Sequence, residues 1–297
     1  EAVQTATTAV KAYPTVAVLV CHLAVAEAAL GHTQDAEAAF QLAVNSRVVP
    51  PVVYIKYADF LLDRGLGERA IPILRKAVED AGDSDELKVT LGMAYVRTKD
   101  FASALALMDE IGEANSARAE FVLGQMHLAN RKSDAIGHFE RAIALGYDTP
   151  ETYLALAQAC ADRNYDDKAR AAYLAGLNRH PGNLKLVAER ALFDKKSGNL
   201  TSARQIVSDV LARQPSNSTF NLIYSSLGKM RVDDPVVAAM RARYKSQAGS
   251  LHPHEQLRLA FALSKVSLDV GDNAQVFPYL NTANALSRQS FPYDIES

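Results

Sequence analysis

The 297-residue sequence lacks several features that mark common classes of protein. It has no tryptophan and only two cysteines, Cys21 and Cys160, which lie far apart in the chain. We expect both to be reduced, partly buried apolar residues, which favours a cytoplasmic location. No apolar run approaches the roughly 18 residues of a membrane-spanning helix. A formal net charge of −2 argues against nucleic acid or an anionic membrane surface as the partner.

Signatures of catalysis and of metal binding are also missing from the sequence. It contains no glycine-rich phosphate loop, no His-x3-His pair and no serine in a nucleophile elbow. His252 and His254 flank Pro253, but two histidines without a third ligand make a weak metal site, so we expect a solvated loop. The pair Asp233-Asp234 sits at a predicted helix start, where the helix dipole explains it. The sequence therefore predicts no enzyme activity, cofactor or metal site for this chain.

What the chain does have is a repeat of 34 residues, visible as three ladders of mostly apolar positions. An alanine ladder keeps this step with one slip: Ala2, Ala36, Ala70, Ala104, Ala135, Ala169, Ala203. A ladder of larger residues runs four positions behind it: Ala6, Phe40, Leu74, Met108, Phe139, Tyr173, Val207. A third ladder runs seven behind the first: Ala9, Ala43, Ala77, Ile111, Ala142, Gly176, Val210. These offsets place all three ladders on one face of a helix, so we expect Phe40, Leu74, Met108, Phe139 and Tyr173 in the core.

A second signature precedes each alanine by about 12 residues and marks a first helix. It is a pair of a large and a small residue: Leu23-Ala24, Tyr57-Ala58, Leu91-Gly92, Leu123-Gly124, Leu156-Ala157. Glycines recur between the two helices, where a left-handed residue is favoured: Gly31, Gly65, Gly198, Gly271. This pattern resembles the tetratricopeptide (TPR) repeat family. The resemblance implies an all-α, right-handed superhelix of antiparallel helix pairs, with about 16 to 17 helices and no β-sheet.

The repeat phase also predicts the organisation of the chain. Residues 1–217 are interpreted as the repeat array, comprising a half repeat at 1–15 and six whole repeats. Residues 218–250 are interpreted as a degenerate repeat, and residues 251–297 as a C-terminal capping repeat and a junction to a missing domain. Whole repeats are predicted to start near Ala17, Pro51, Asp85, Ala117, Pro150 and Leu184. Because the chain enters in mid-repeat and lacks an initiator Met, we interpret it as part of a longer protein.

The last repeat carries a second resemblance. Its residues include Phe261-Ala262-Leu263-Ser264-Lys265, Asp269-Val270-Gly271-Asp272, Ala283-Asn284-Ala285, Arg288 and Pro292-Tyr293-Asp294. This run is similar to the junction of bacterial TPR-sulfotransferase proteins. Lys265 fits the basic position of that family's Gly-Lys pair, although Ser264 replaces the glycine. The resemblance implies the non-catalytic N-terminal region of a sulfotransferase-family protein, with a C-terminal sulfotransferase domain in the parent chain. The alternative is a free-standing TPR adaptor whose last repeat is only a cap.

The TPR resemblance further implies a concave groove, lined by first helices, that binds a protein or peptide. The candidate partner-binding residues are the fifth, ninth and thirteenth positions of the repeats: Ile55, Asp59, Val89, Met93, Arg97, Phe121, Gln125, Leu154 and Gln158. The clamp for chaperone C-termini needs Lys at position five and Asn at position nine, and neither occurs in these repeats. The fifth positions form an apolar strip that either lines the groove or packs adjacent repeats, and the sequence leaves both open.

Overall fold

The computed structural model describes residues 16–81, 84–112, 116–130 and 134–290. These residues form sixteen α-helices and one short 3-10 helix (Ala248–Ser250), and no β-strand occurs among them. The chain divides into two compact units, one up to Ala172 and one from Tyr173. The predicted half repeat at 1–15 and the motif Pro292-Tyr293-Asp294 lie outside the described residues.

The helices alternate between first and second members of successive pairs. The first helices are α1 (Ala17–Ala29), α3 (Pro51–Asp63), α5 (Asp85–Arg97), α7 (Ser116–Ala129), α9 (Pro150–Ala161) and α11 (Leu184–Lys196). The second helices are α2 (Thr33–Val44), α4 (Gly67–Ala81), α6 (Phe101–Met108), α8 (Ala135–Ala144), α10 (Asp166–Arg179) and α12 (Leu200–Arg213). The first helices begin within one residue of their predicted starts. Thr149 caps α9 as expected, accepting a hydrogen bond from the Thr152 N–H at 3.3 Å.

The ladders point inward, as their spacing predicts. Phe40, Leu74, Met108, Phe139 and Tyr173 are all buried, which confirms them as core residues. The alanine ladder from Ala36 to Ala203 is buried as well. The third ladder fails at one position, because α6 ends at Met108 and leaves Ile111 half-buried beyond the helix.

In two of the large-small pairs the small residue is a glycine, and a ladder residue of the second helix approaches it closely. A Cβ added to Gly92 would lie 2.5 Å from Met108 Cε, and one added to Gly124 would lie 2.6 Å from Phe139 Cε1. Both distances are shorter than real Cβ contacts. The Met108 Cε methyl is the far end of a flexible side chain and can move away from Gly92, whereas the buried Phe139 ring cannot, so α7 requires glycine at position 124.

The turns that precede α2, α4, α6 and α10 each hold one residue in the left-handed region. Gly31 and Gly65 adopt it with φ of 82° and 74°. Lys99 and Asn164 adopt it at the equivalent place in later repeats, with φ of 66° and 60°. In each case the following N–H reaches back to the last turn of the first helix, as Asp100 N does to the Tyr95 carbonyl at 2.8 Å. This hydrogen bond closes the turn whether or not glycine is present.

The second unit ends in four helices that share one core with α11 and α12. They are α13 (Ser218–Ser225), α14 (Pro235–Gln247), α15 (Pro253–Val270) and α16 (Asn273–Ser290). Helix α15 packs against each of the other three. The core here includes Phe220, Met240, Leu259 and Leu263. Helix α13 has only eight residues, in accord with the short first helix expected for the degenerate repeat.

Two residues of the sulfotransferase-like run, Lys265 and Asp269, hold the loop before α14. Lys265 Nζ donates to the Asp269 carboxylate and to the Gly228 carbonyl, and Asp269 Oδ2 accepts from the Met230 N–H at 2.8 Å. Burial raises the pKa of Asp269, but the hydrogen bonds from Lys265 and from the Met230 backbone outweigh it and lower that pKa below its usual value. Packing of this loop therefore accounts for both side chains.

Candidate binding face

The first helices of the first unit pack side by side and form one continuous surface. Helix α1 contacts α3, α3 contacts α5, α5 contacts α7, and α7 contacts α9. We call the side of these five helices that carries the ninth and thirteenth positions of the repeats the first-helix face. The partner-binding residues predicted from the sequence all belong to these helices, so the fold brings them onto consecutive neighbours.

The fifth positions lie mostly inside the protein. Ile55, Val89 and Phe121 are buried, with Phe121 only 9% exposed, whereas Leu154 is half-buried. The Phe121 ring lies 5.9 Å from the ring of Phe139 and 5.3 Å from that of Tyr147, measured between centroids. Burial of these side chains favours the packing alternative for the apolar strip over the groove alternative.

The ninth and thirteenth positions lie at the surface. Asp59, Arg97 and Gln158 are exposed, and Met93 and Gln125 are half-exposed. These five side chains come from four consecutive first helices, α3, α5, α7 and α9. A partner lying across the helices would therefore meet acidic, basic, amide and thioether groups in turn.

A group of charges surrounds Asp59 on this face. Loss of hydration raises the pKa of Asp59; Asp63 and Glu86 act in the same direction, while Lys56 and Arg118 oppose them. The Asp59 side chain is nevertheless exposed to solvent.

One ion pair links neighbouring repeats here and was not predicted from the sequence. Arg118 Nη1 lies 3.3 Å from Glu86 Oε1, joining the second positions of the repeats that begin with α7 and α5. The repeat phase could have predicted this ion pair, because Glu86 and Arg118 carry opposite charges at equivalent positions of neighbouring repeats, 32 residues apart. Within the described part of the chain, Asp59 and Asp63 form no ion pair or hydrogen bond through their side chains.

Another polar cluster lies between α7 and α8. His138 Nδ1 is 2.7 Å from Glu120 Oε2, and Arg141 Nε is 3.1 Å from the same oxygen. The His127 and His138 rings stack with centroids 4.7 Å apart. Burial raises the pKa of Glu120, but Arg141 and His138 outweigh it and lower that pKa overall. This cluster ties a first helix to its second helix.

The histidines considered as metal ligands have local roles. His252 caps α15 by accepting from the His254 N–H at 3.4 Å, and the two rings stack. A second set, Glu27, His32 and Asp35, places its ligand atoms within 4.8 Å of one another at the turn between α1 and α2. His32 Nδ1 lies 2.7 Å from Glu27 Oε2, so a hydrogen bond within the turn accounts for the closeness of these two residues.

Cys21 and Cys160 are buried and unpaired, as expected for small apolar residues. Burial raises the pKa of both thiols, which disfavours the reactive thiolate.

Among the residues that the structure describes, no helix is both long and apolar enough to traverse a lipid bilayer.

Comparison with known families and structures agrees with the geometry. Two family models, both described as tetratricopeptide repeat, match residues 61–122 and 129–183. No curated protein matches the sequence.

Similar solved structures include two that are described as TPR proteins. A thermophilic TPR protein from Thermus thermophilus has a TM-score of 0.53 at 23% identity, covering 60% of this chain and 98% of that one. The C-terminal part of a TPR repeat-containing protein from Cytophaga hutchinsonii has a TM-score of 0.53 at 12% identity, covering 82% and 97%. The APC/C hetero-tetramer Cut9-Hcn1 has a TM-score of 0.53 at 16% identity, covering 75% of this chain and 45% of that one. At these identities the likeness supports the all-α repeat fold alone.

Proposed function

We propose that the chain is a protein-interaction scaffold that binds an extended peptide or a partner helix along the first-helix face. Matches to tetratricopeptide repeat models at residues 61–122 and 129–183 support this role. The observation that carries the proposal is the row of exposed and half-exposed side chains on α3, α5, α7 and α9. Met93, Gln125 and Gln158 form its centre, and Asp59 and Arg97 supply charge.

The composition of this row suits recognition of a peptide rather than chemistry on a small molecule. Methionine adapts to varied apolar surfaces, and glutamine both donates and accepts hydrogen bonds to a backbone. The buried fifth positions beneath the row hold the helices rigidly, so the surface side chains keep their spacing without a partner. In this proposal, Ile55, Val89 and Phe121 position the face from below, and only Leu154 is open enough for direct contact.

The test uses selection from a library of displayed random 12-residue peptides against the whole chain. A paired variant, Gln125→Lys with Gln158→Lys, puts two charges on the first-helix face. Its matched control, Glu79→Lys with Glu140→Lys, alters exposed residues of the second helices α4 and α8.

We expect the face variant to weaken the binding of selected peptides at least about tenfold. This corresponds to about 1.4 kcal/mol, a loss typical of removing one central contact. The control pair is expected to leave their affinity unchanged. The proposal is contradicted if selected peptides bind both variants equally, or if only the second-helix pair weakens them.

The link to a sulfotransferase is a finer proposal that rests on the sequence run from Phe261 to Asp294 alone. The TPR family matches do not bear on it, and the packing roles of Lys265 and Asp269 give part of that run another explanation. We propose that the parent gene continues into a strand followed by a phosphate-binding loop. A stop codon directly after Ser297 would instead support the free-standing adaptor.

The cytoplasm remains the proposed location. Two buried free cysteines, Cys21 and Cys160, suit a reducing compartment. Fractionation of the source cells with an antibody against the chain tests this, and recovery from an extracytoplasmic fraction would contradict it.

A further inference from the structure

The ninth positions of the first three whole repeats differ in polarity. Val25 on α1 is 41% exposed, Asp59 on α3 is exposed, and Met93 on α5 is half-exposed. Helices α1, α3 and α5 are consecutive neighbours in the first unit. The row therefore reads apolar, acidic, apolar across three helices.

The expected spacing of this row matches the repeat of a polyproline II segment. Packed helices lie about 8–10 Å apart, so consecutive ninth positions are separated by about that distance. A polyproline II segment has three residues per turn and rises about 3.1 Å per residue, so every third side chain faces the same way at intervals of about 9 Å. A segment in this conformation, laid across the helices, would present one side chain to each ninth position.

The charge at the middle of the row calls for a basic group. Asp63 follows Asp59 by four residues, so both carboxylates lie on one side of α3. Of the neighbouring charges, Glu86 and Arg118 pair with each other at 3.3 Å. In the region described, Lys56 makes no ion pair with either aspartate. With Glu86 and Arg118 paired, the described charges here are two carboxylates, Asp59 and Asp63, against the single cation Lys56, so α3 is negative at the middle of the row. Arg97 on α5 is an exposed basic residue at the edge of this region.

We propose that the first-helix face between α1 and α5 recognises an extended segment of the form apolar-x-x-basic-x-x-apolar. A Lys or Arg of the segment meets Asp59 and Asp63, and its apolar residues rest on Val25 and Met93. This inference rests on the proposed scaffold function and names the chemistry of its partner. An acetylated lysine or a glutamate at the central position would lose the complementary charge.

The test uses three fluorescein-labelled heptapeptides in polyproline II conformation: Leu-Pro-Pro-Arg-Pro-Pro-Leu and its central Glu and Ala versions. Binding to the whole chain is measured by fluorescence anisotropy at low and at 0.5 M salt. The variants are Asp59→Asn with Asp63→Asn, and the reversal Asp59→Arg with Asp63→Arg. Glu79→Gln, an exposed carboxylate on α4, is the matched control.

The Arg peptide is expected to bind about tenfold tighter than the Glu peptide, with the difference reduced at high salt. The Asn pair should remove that preference and the Arg pair should invert it, while Glu79→Gln keeps it. Melting temperatures check that each variant folds. Inversion of preference is a readout that a merely structural role of the aspartates would not produce.

The outcomes separate this inference from the scaffold proposal. The inference is overturned if the Arg peptide binds no tighter than the Glu peptide. It is also overturned if the Asn variant still prefers the Arg peptide. Displayed peptides that still bind through Gln125 and Gln158 would then leave the scaffold function standing. If no selected peptide depends on the first-helix face, both proposals fail together.

Discussion

Replacement of Gly124 by alanine tests the packing of the helix pairs. The added Cβ would lie 2.6, 2.7 and 2.9 Å from three atoms of the Phe139 ring, whereas ordinary contact begins at 3.4 Å. The ring is fully buried and also packs against Phe121, so it has no free direction in which to move. Overpacking of this kind costs about 1–3 kcal/mol, and the alanine regains about 1 kcal/mol of helix propensity. We expect a net loss of about 1 kcal/mol in the free energy of unfolding.

Gly92→Ala is the matched control, since it occupies the same place in the neighbouring repeat. Its Cβ would meet Met108 Cε, the far end of a flexible side chain that can rotate away. This variant should be neutral or up to about 1 kcal/mol more stable than the parent chain. Urea unfolding followed by far-ultraviolet circular dichroism compares the two. If Gly124→Ala is as stable as Gly92→Ala, the close approach at Phe139 is not what fixes the position of α7.

A second substitution tests whether contact with Phe139 causes the loss of stability in Gly124→Ala. The second repeat has Ala58 and Leu74 at the positions of Gly124 and Phe139. Phe139→Leu should therefore relieve part of the penalty of Gly124→Ala. The double variant is expected to be less destabilised than the sum of the single variants, by about 0.5 kcal/mol or more. Strict additivity would contradict a direct contact between the two residues.

Three further predictions concern single sites. Phe121→Ala and Phe139→Ala should each cost about 3–5 kcal/mol by chemical denaturation, because both side chains are buried; a loss confined to Phe139→Ala would show that Phe121 belongs to the surface. Lys99→Gly should stabilise the fold by up to about 1 kcal/mol in thermal melts, since its φ is 66°, whereas Gly65→Ala should destabilise it. Asp269 has a lowered pKa in the fold, so its contribution is present above the unfolded pKa of about 3.9 and is lost as pH falls through the folded value. Unfolding at pH 7 and pH 3 should show a smaller acid loss for Asp269→Asn than for the parent, and an equal loss would contradict this.

Much of the fold was predictable because each repeat packs against its sequence neighbours. The starts of the first helices at Ala17, Pro51 and Pro150 follow from the period and from local helix-start chemistry. Burial of Phe40 and Leu74 follows from offsets within one helix. These features depend on residues a few tens of positions apart, and the sequence displays them directly.

The candidate site was harder to predict because it depends on how closely neighbouring repeats approach. Phe121 has the right position for a groove residue, yet packing against Phe139 and Tyr147 covers it. The left-handed Lys99 was missed for a related reason, since flanking helices impose a backbone conformation that the residue type does not signal. Distances between repeats and strain at turns are properties of the packed array, so spacing along the sequence does not report them.

The most direct test of peptide binding on the first-helix face uses the methionine methyl groups. The chain has five methionines, and only Met93 is half-exposed; the others, Met108, Met126, Met230 and Met240, are buried. Nuclear magnetic resonance of methyl-labelled methionine therefore gives one reporter on the face and four in the interior. As a selected peptide is titrated in, the Met93 signal is expected to shift in a saturable way while those of Met230 and Met240 stay in place. Saturable binding that leaves Met93 unchanged would contradict the account.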